Sequence, residues 1–194
     1  MRVISGSARG TVLHSIEDIK TRPTLDRVKE SLFNIIQNEI EDAVILDLFA
    51  GSGAIAIEFL SRGASSAYIC DNNAKAIEMV KKNLQKTHLE EKAIIYNKDY
   101  TECLKQIQKV QFDIIFLDPP YKTDCAIEAI KYIENAQMLK SCGKLIVETD
   151  EPDKYLKEIE NNNIKLKMYD LRKYGRASLI FLKWKGKKWK FSHY

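Results

Sequence analysis

The sequence predicts an α/β fold: a seven-stranded, mostly parallel sheet with helices on both faces, a C-terminal antiparallel hairpin at one edge, and a small N-terminal hairpin and helix. Three observations carry this. From residue 43 onward, short apolar runs alternate with amphipathic helical stretches, the pattern of βα units. Ile114 to Leu117 is apolar throughout and mostly β-branched or aromatic, as suits a strand buried on both faces of a parallel sheet. Gly51 and Gly53 fall where the first core strand passes into its helix, at the carboxyl edge where such sheets bind ligands.

Taken in order, residues 2–4 and 11–13 are two strand-like pieces around Gly6-Ser7-Ala8-Arg9-Gly10, a hairpin candidate with a basic loop. Pro23 holds Thr21 and Arg22 extended, and Thr24 is the expected N-cap of a helix whose Leu25, Val28, Leu32, Ile35 and Ile36 share one face. The core follows as strand 43–49, helix 54–61, strand 66–70, helix 74–85, strand 93–96, helix 101–109 and strand 112–117. Helix 126–139, strand 144–148 after Gly143, and helix 151–160 come next, and strands 165–171 and 176–184 turn on Gly175. One domain is expected over 1–194, with an extension at 1–40, the core at 41–184 and a basic tail at 185–194. Between Lys183 and Lys190 five lysines interleave with Trp184 and Trp189, a composition that suits nucleic acid; tryptophans packing back on the sheet are an equal alternative.

At 194 residues and 45% hydrophobic, the chain can fill one core but not two ordinary ones. The net charge of +4 is mild, so an anionic partner must be sought in local clusters. Cys70, Cys103, Cys125 and Cys142 lie far apart without a Cys-x-x-Cys, which argues against a zinc knuckle or a disulfide framework and for a reducing compartment. His14, His88 and His193 have no ligand spacing, so no metal is expected. No apolar run approaches a membrane span and no signal-peptide core follows Met1-Arg2; the expected location is the cytoplasm.

The central strand ends abruptly in Asp118-Pro119-Pro120-Tyr121. Two prolines with fixed φ and no N–H take the chain stiffly out of the sheet, leaving an anionic acceptor, bare carbonyls and an aromatic face together. That set suits a planar base with an exocyclic amine: the ring stacks on Tyr121, and the amine donates to Asp118 and to the Pro119 carbonyl. A proline-stopped strand before an ordinary turn is the plain alternative. Upstream, Asp47-Leu48-Phe49-Ala50-Gly51-Ser52-Gly53 forms a tight turn whose helix N-terminus favours a carboxylate or phosphate. Asp71, twenty residues after Gly51, stands where an acid reaches ribose hydroxyls, and Asp99 ends the third strand, placed to accept from an adenine amine. Gly51-x-Gly53-x-x-Ala56 with Asp71 also satisfies the dinucleotide fingerprint of a dehydrogenase. Against that stand Asp47 ahead of the glycines, the absence of an obvious proton-transfer set, and Asp-Pro-Pro-Tyr itself.

Thr21-Arg22-Pro23-Thr24, Asp26-Arg27-Val28-Lys29-Glu30, Phe33-Asn34, Leu46 to Gly53, Ser61-Arg62-Gly63-Ala64 and Leu117 to Tyr121 together resemble the RsmD family of class I, Rossmann-like, S-adenosylmethionine-dependent methyltransferases, over nearly the whole chain. The resemblance implies methylation of N2 of a guanine in 16S ribosomal RNA, in a partly assembled small subunit. It implies that Asp47, Gly51, Ser52 and Gly53 hold the methionine end of the cofactor, Asp71 the ribose and Asp99 the adenine, with Phe49, Ala50, Asn72 and Tyr100 also binding the cofactor. Asp118, Pro119, Pro120 and Tyr121 would hold the flipped guanine; Arg22, Arg27 and Lys29 would line the mouth and meet either the RNA backbone or the cofactor carboxylate, and Arg9 would meet RNA. Asp71 departs from the Glu expected there, and the Lys/Trp tail lies outside the pattern. DNA adenine-N6 and protein-glutamine methyltransferases share the chemistry, and a non-catalytic RNA-binding module is the alternative from another class.

Overall fold

The apolar runs become seven strands, β1 (Val44–Asp47), β2 (Ser66–Asp71), β3 (Ala93–Asn97), β4 (Phe112–Leu117), β5 (Leu139–Thr149), β6 (Leu166–Tyr174) and β7 (Ala177–Trp184). Six helices join them: α1 (Pro23–Ile35), α2 (Ala54–Ser61), α3 (Ala74–Thr87), α4 (Tyr100–Ile107), α5 (Cys125–Asn135) and α6 (Pro152–Asn161). The computed structural model describes residues 1–15, 23–120 and 124–185, those at 23–26 by backbone alone. The sheet order is β3-β2-β1-β4-β5-β7-β6, with β7 antiparallel to both neighbours. Chain direction across the sheet reverses between β1 and β4, which pair in parallel with Asp47 opposite Phe116. That makes the carboxyl ends of β1 and β4 the switch point at which open α/β sheets form a crevice.

Period-two alternation sends successive side chains to opposite faces. Ile45, Ile114, Phe116, Ile146 and Phe181 join the core shared with α1, α2 and α3, whereas Leu46, Ile115, Leu117, Leu145 and Val147 join the one under α4, α5 and α6. Both faces are covered, so the central strands carry almost no polar residue before their carboxyl tips. Each fully buried Leu, Ile or Phe contributes about 1.5–3 kcal/mol by leaving water.

The N-terminal extension belongs to the first of these cores through Val3, Ala8 and Leu13. Its two expected strands reduce to one antiparallel bridge, Arg2 with Val12: the amides of Val3, Gly10 and Leu13 still donate across the arm, but those of Ile4, Ser5, Ser7 and Ala8 turn to Glu58 and Ser61 of α2. Glu58, fully buried, accepts from the amides of Ile4 (2.8 Å) and Ser5 (3.0 Å), Lys29 Nζ (3.1 Å) and Arg62 Nε (2.8 Å). Gly6 packs so tightly on Ser61 that a Cβ would lie 1.7 Å from its carbonyl oxygen. Asn83 completes the clamp, accepting from His14 N (2.7 Å) and donating to the carbonyls of His14 (3.0 Å) and Ser52 (2.9 Å).

Three expectations at element ends are corrected. Thr24 is not the N-cap: the helix already begins at Pro23, as a ring with no N–H permits at the first helical position. Helix 126–139 ends at Asn135, and after Gln137 turns through φ 53° the apolar pair Met138-Leu139 leads into a strand. Strand β5 therefore begins at Leu139 rather than Lys144, and Phe112 N donates to the Met138 carbonyl at 2.8 Å. Met138 and Leu139 match either period, and pairing with β4 decides the outcome.

Replacing Glu58 by Ala would strip Lys29 of this carboxylate and leave two partly buried amides without this acceptor. The expected loss in urea unfolding is about 3–5 kcal/mol; a loss below about 1 kcal/mol would show that the arm is held by apolar contacts alone.

Candidate active site

Gly51 (φ 54°) and Gly53 (φ 76°) both take the left-handed conformation, which lets the chain leave β1 and enter α2 within six residues. The turn is held from several sides. Ala50 N donates to the Cys70 carbonyl (3.0 Å), Gly51 N to Asp71 Oδ2 (2.8 Å), and Asp47 Oδ2 accepts from Ala56 N in the first turn of α2 (3.3 Å). Asp71 Oδ1 also accepts from Asn73 N at 2.8 Å, so this carboxylate braces the tips of β1 and β2 together. A Cβ on Gly51 would meet nothing within 4 Å, leaving open space above the backbone at the N-terminus of α2. Phe49 and Tyr100, both half-buried, meet with ring centroids 5.6 Å apart, and exposed Asn72 follows Asp71. The Tyr100 hydroxyl, pushed up to about 12 by burial and by Cys125, marks the α4–α5 side of this wall. Asp99 serves α4 first: it is the N-cap, its Oδ1 accepting from Thr101 N (2.9 Å) and Thr101 Oγ1 (2.7 Å).

Asp118 leaves the tip of β4, crowded by protein below yet open to solvent above, as a group on a cleft floor is. Burial pushes its carboxyl up to about 6. Asp47 rises to about 8, chiefly through burial, against the Ala56 amide and with added repulsion from Asp118 and Asp71. Sequence reasoning overlooked Glu148, at the tip of β5, which is pushed up to about 8 by burial and by Asp118. Its signal was one acidic residue at the end of an apolar strand, legible only once β5 is known to lie beside β4.

The basic residues expected at RNA separate. Arg27 is exposed on α1. Lys29 is corrected: it is buried, with Nζ on Glu58 and on the Arg2 carbonyl (2.7 Å), where no phosphate reaches it. Arg9 is exposed but sits in the loop docked on Ser61, at the far end of α2 from the glycine turn and about 12 Å along that helix. Arg22, Tyr121 and Trp189 lie outside the described residues, as does the tail from 186 to 194. Trp184 packs back on the sheet, its Nε1 donating to the Leu139 carbonyl at 3.0 Å. Among the described residues, no group of acids, histidines and cysteines could hold a metal, no helix is long and apolar enough to cross a membrane, and all four cysteines are free.

This sheet order, with a glycine turn after β1 and acids at the tips of β1, β2 and β4, is the class I methyltransferase fold. A Haemophilus influenzae structure described as a methylase superposes with TM-score 0.73 at 31% identity, covering 93% of this chain and 96% of that one. The model of the family described as "Conserved hypothetical protein 95" matches residues 1–183. The chain belongs to that family, the RsmD family. A Bacillus subtilis (strain 168) protein named as an rRNA methyltransferase, YlbH, is 43% identical over 152 residues, spanning 77% of this chain and 83% of that one. The Haemophilus influenzae ribosomal RNA small subunit methyltransferase D is 39% identical over 163 residues, 83% and 84% of the two chains.

The residues present fit the S-adenosylmethionine that the fold implies, with open backbone above Gly51, an acid at the tip of β2 and an aromatic wall beside it. Asp71→Ala should weaken cofactor binding in calorimetry by about 1.5–3 kcal/mol, as a lost charge-assisted hydrogen-bond pair does; NAD binding preferentially would overturn the assignment. From about pH 4 upward the folded protein keeps protons that the unfolded chain has released, on Asp118 to about pH 6 and on Asp47 and Glu148 to about pH 8. Their contribution to stability therefore falls as pH rises through that window. Glu148→Gln should flatten the fall in Tm above about pH 5.

Proposed function

We propose that this protein methylates the exocyclic N2 amine of a guanine in small-subunit (16S) ribosomal RNA in the cytoplasm, using S-adenosylmethionine; the resemblance implies the guanine at position 966. The observation that supports this most is Asp118-Pro119-Pro120 at the tip of β4, beside the glycine turn, in a chain of the RsmD family. When bound, the cofactor supplies a methyl group on a sulfonium that carries its own leaving group. The protein's part is alignment, which can supply about 7–11 kcal/mol. Asp118 and the Pro119 carbonyl accept from the amine and turn its lone pair toward the cofactor, and Asp118, with its pKa near 6, can accept the proton that N2 sheds. No thiol nucleophile is called for, and the Cys70 thiol is held protonated by Cys103 and by burial. Taking a guanine out of its stack costs a few kcal/mol, which stacking on Tyr121 offsets by about 1–3 kcal/mol.

Adenine-N6 methylation of DNA and methylation of a protein glutamine use the same acceptors. The relatives named for ribosomal RNA, matched over most of both chains, favour RNA. A non-catalytic role is disfavoured because Asp118 keeps its carboxylate in the open cleft rather than committing it to the fold. Phosphate contacts from Arg22 and Arg27 would add affinity without sequence choice.

With tritiated cofactor, label should enter guanine N2 of a partly assembled small subunit much faster than duplex DNA, free nucleoside or protein. Label in adenine N6 or glutamine would overturn the proposal. Asp118→Ala should abolish turnover and leave cofactor affinity within about twofold, since it touches the amine and not the cofactor.

A further inference from the structure

The tips of β4 and β5 carry a second acceptor whose use the reaction above does not require. Leu117 pairs with Val147 in parallel register, so Asp118 and Glu148 follow as neighbours, about 5 Å apart at Cα. Phe116 and Ile146, two residues earlier on each strand, both point into the core beneath α1–α3, and alternation carries Asp118 and Glu148 to that same face. Repulsion from Asp118 on the Glu148 carboxyl agrees with this closeness. The other acids of the edge are committed: Asp47 to Ala56 N, Asp71 to Gly51 N and Asn73 N, Asp99 to Thr101. Among the described residues, neither Asp118 nor Glu148 accepts a hydrogen bond or ion pair, and Glu148 is half-buried on the same face of the cleft as Asp118. Two adjacent carboxyls without donors repel each other until a ligand brings donors to both.

We propose that Glu148 selects the target base by accepting the N1–H of guanine, while Asp118 accepts from the N2 amine beside it. This rests on the guanine-N2 reading above and extends it to how the base is chosen. The Watson–Crick edge of guanine presents N1–H and N2–H side by side, two donors for two acceptors. Adenine places a bare N1 acceptor next to its amine and offers the second carboxylate no donor, whereas the paired N1–H and N2–H of guanine favour the ionised form of the acid that burial otherwise keeps protonated. A flipped base is read along this edge. The strand register thus turns a pair of neighbouring acids into a guanine filter, set next to the Pro119 carbonyl that orients the amine.

The test uses small-subunit RNA carrying either guanine or 2-aminopurine at the methylated position; the analogue keeps the 2-amine but has a bare N1. Wild-type protein should prefer guanine. Glu148→Gln, whose amide can donate to a bare N1, should lower kcat/KM for guanine about tenfold to a hundredfold and shift the guanine-to-analogue ratio toward the analogue by at least about tenfold. Glu148→Asp should retain the guanine preference at reduced rate. Cofactor affinity should be unchanged in both variants, and Tm unchanged or higher in Glu148→Gln, because a carboxylate without donors is removed. An equal loss on both RNAs, or a lowered Tm with weakened cofactor binding, would overturn this role while leaving guanine-N2 methylation standing. Label on adenine N6 in the wild type would overturn both.

Discussion

The glycine turn between β1 and α2 is the constraint on which the rest of the site depends. The chain must leave the sheet at the switch point and start a helix at once, and two left-handed residues, Gly51 and Gly53, make that reversal possible. Asp71 then fixes the turn from β2, Asp47 ties the first turn of α2 back to β1, and Asn83 holds Ser52 from α3. Each brace is a polar side chain bonded to backbone inside the protein, so the open backbone above Gly51 is held in place before any ligand arrives. A pocket organised in advance does not lose binding energy to ordering a loop.

The same edge gathers negative charge on one face of the sheet. Asp47, Asp118 and Glu148 project from adjacent strands toward the side of α1–α3; burial raises all three carboxyls, and repulsion from Asp118 adds to it at Asp47 and Glu148. The cost is borne unequally, because Asp47 has an amide to answer it and Glu148 has none among the described residues. A site of this kind suits a ligand rich in N–H donors and a cofactor with a positive centre, which relieve the repulsion on binding.

Anchoring of the N-terminal arm explains why basic residues close in sequence part company in space. Glu58 collects Lys29, Arg62 and two arm amides into one buried centre, so Lys29 is spent on the fold while Arg27, two residues earlier on α1, stays exposed. The loop bearing Arg9 is pinned at the foot of α2 by Ser61, away from the cleft. Basic surface near the mouth is therefore smaller than a count of arginines and lysines suggests, which leaves shape and base contacts to carry recognition.

The sequence by itself determined the order of strands and helices, the turn at Gly51, and the stop at Asp118-Pro119-Pro120, because apolar period, glycine φ and proline geometry are local properties of the chain. β4 and α2 were legible to the residue for that reason. Tertiary structure decided what depends on partners remote in sequence. It took Met138 out of the helix and Leu139 into β5, shrank the N-terminal hairpin to one bridge, and set Asp99 to cap α4. It also buried Lys29 against Glu58 and brought Glu148 beside Asp118, thirty residues away in the chain. The charge of a lysine or glutamate is written in the sequence, but whether it faces water, a buried counter-ion or a substrate depends on which strands and helices pack around it.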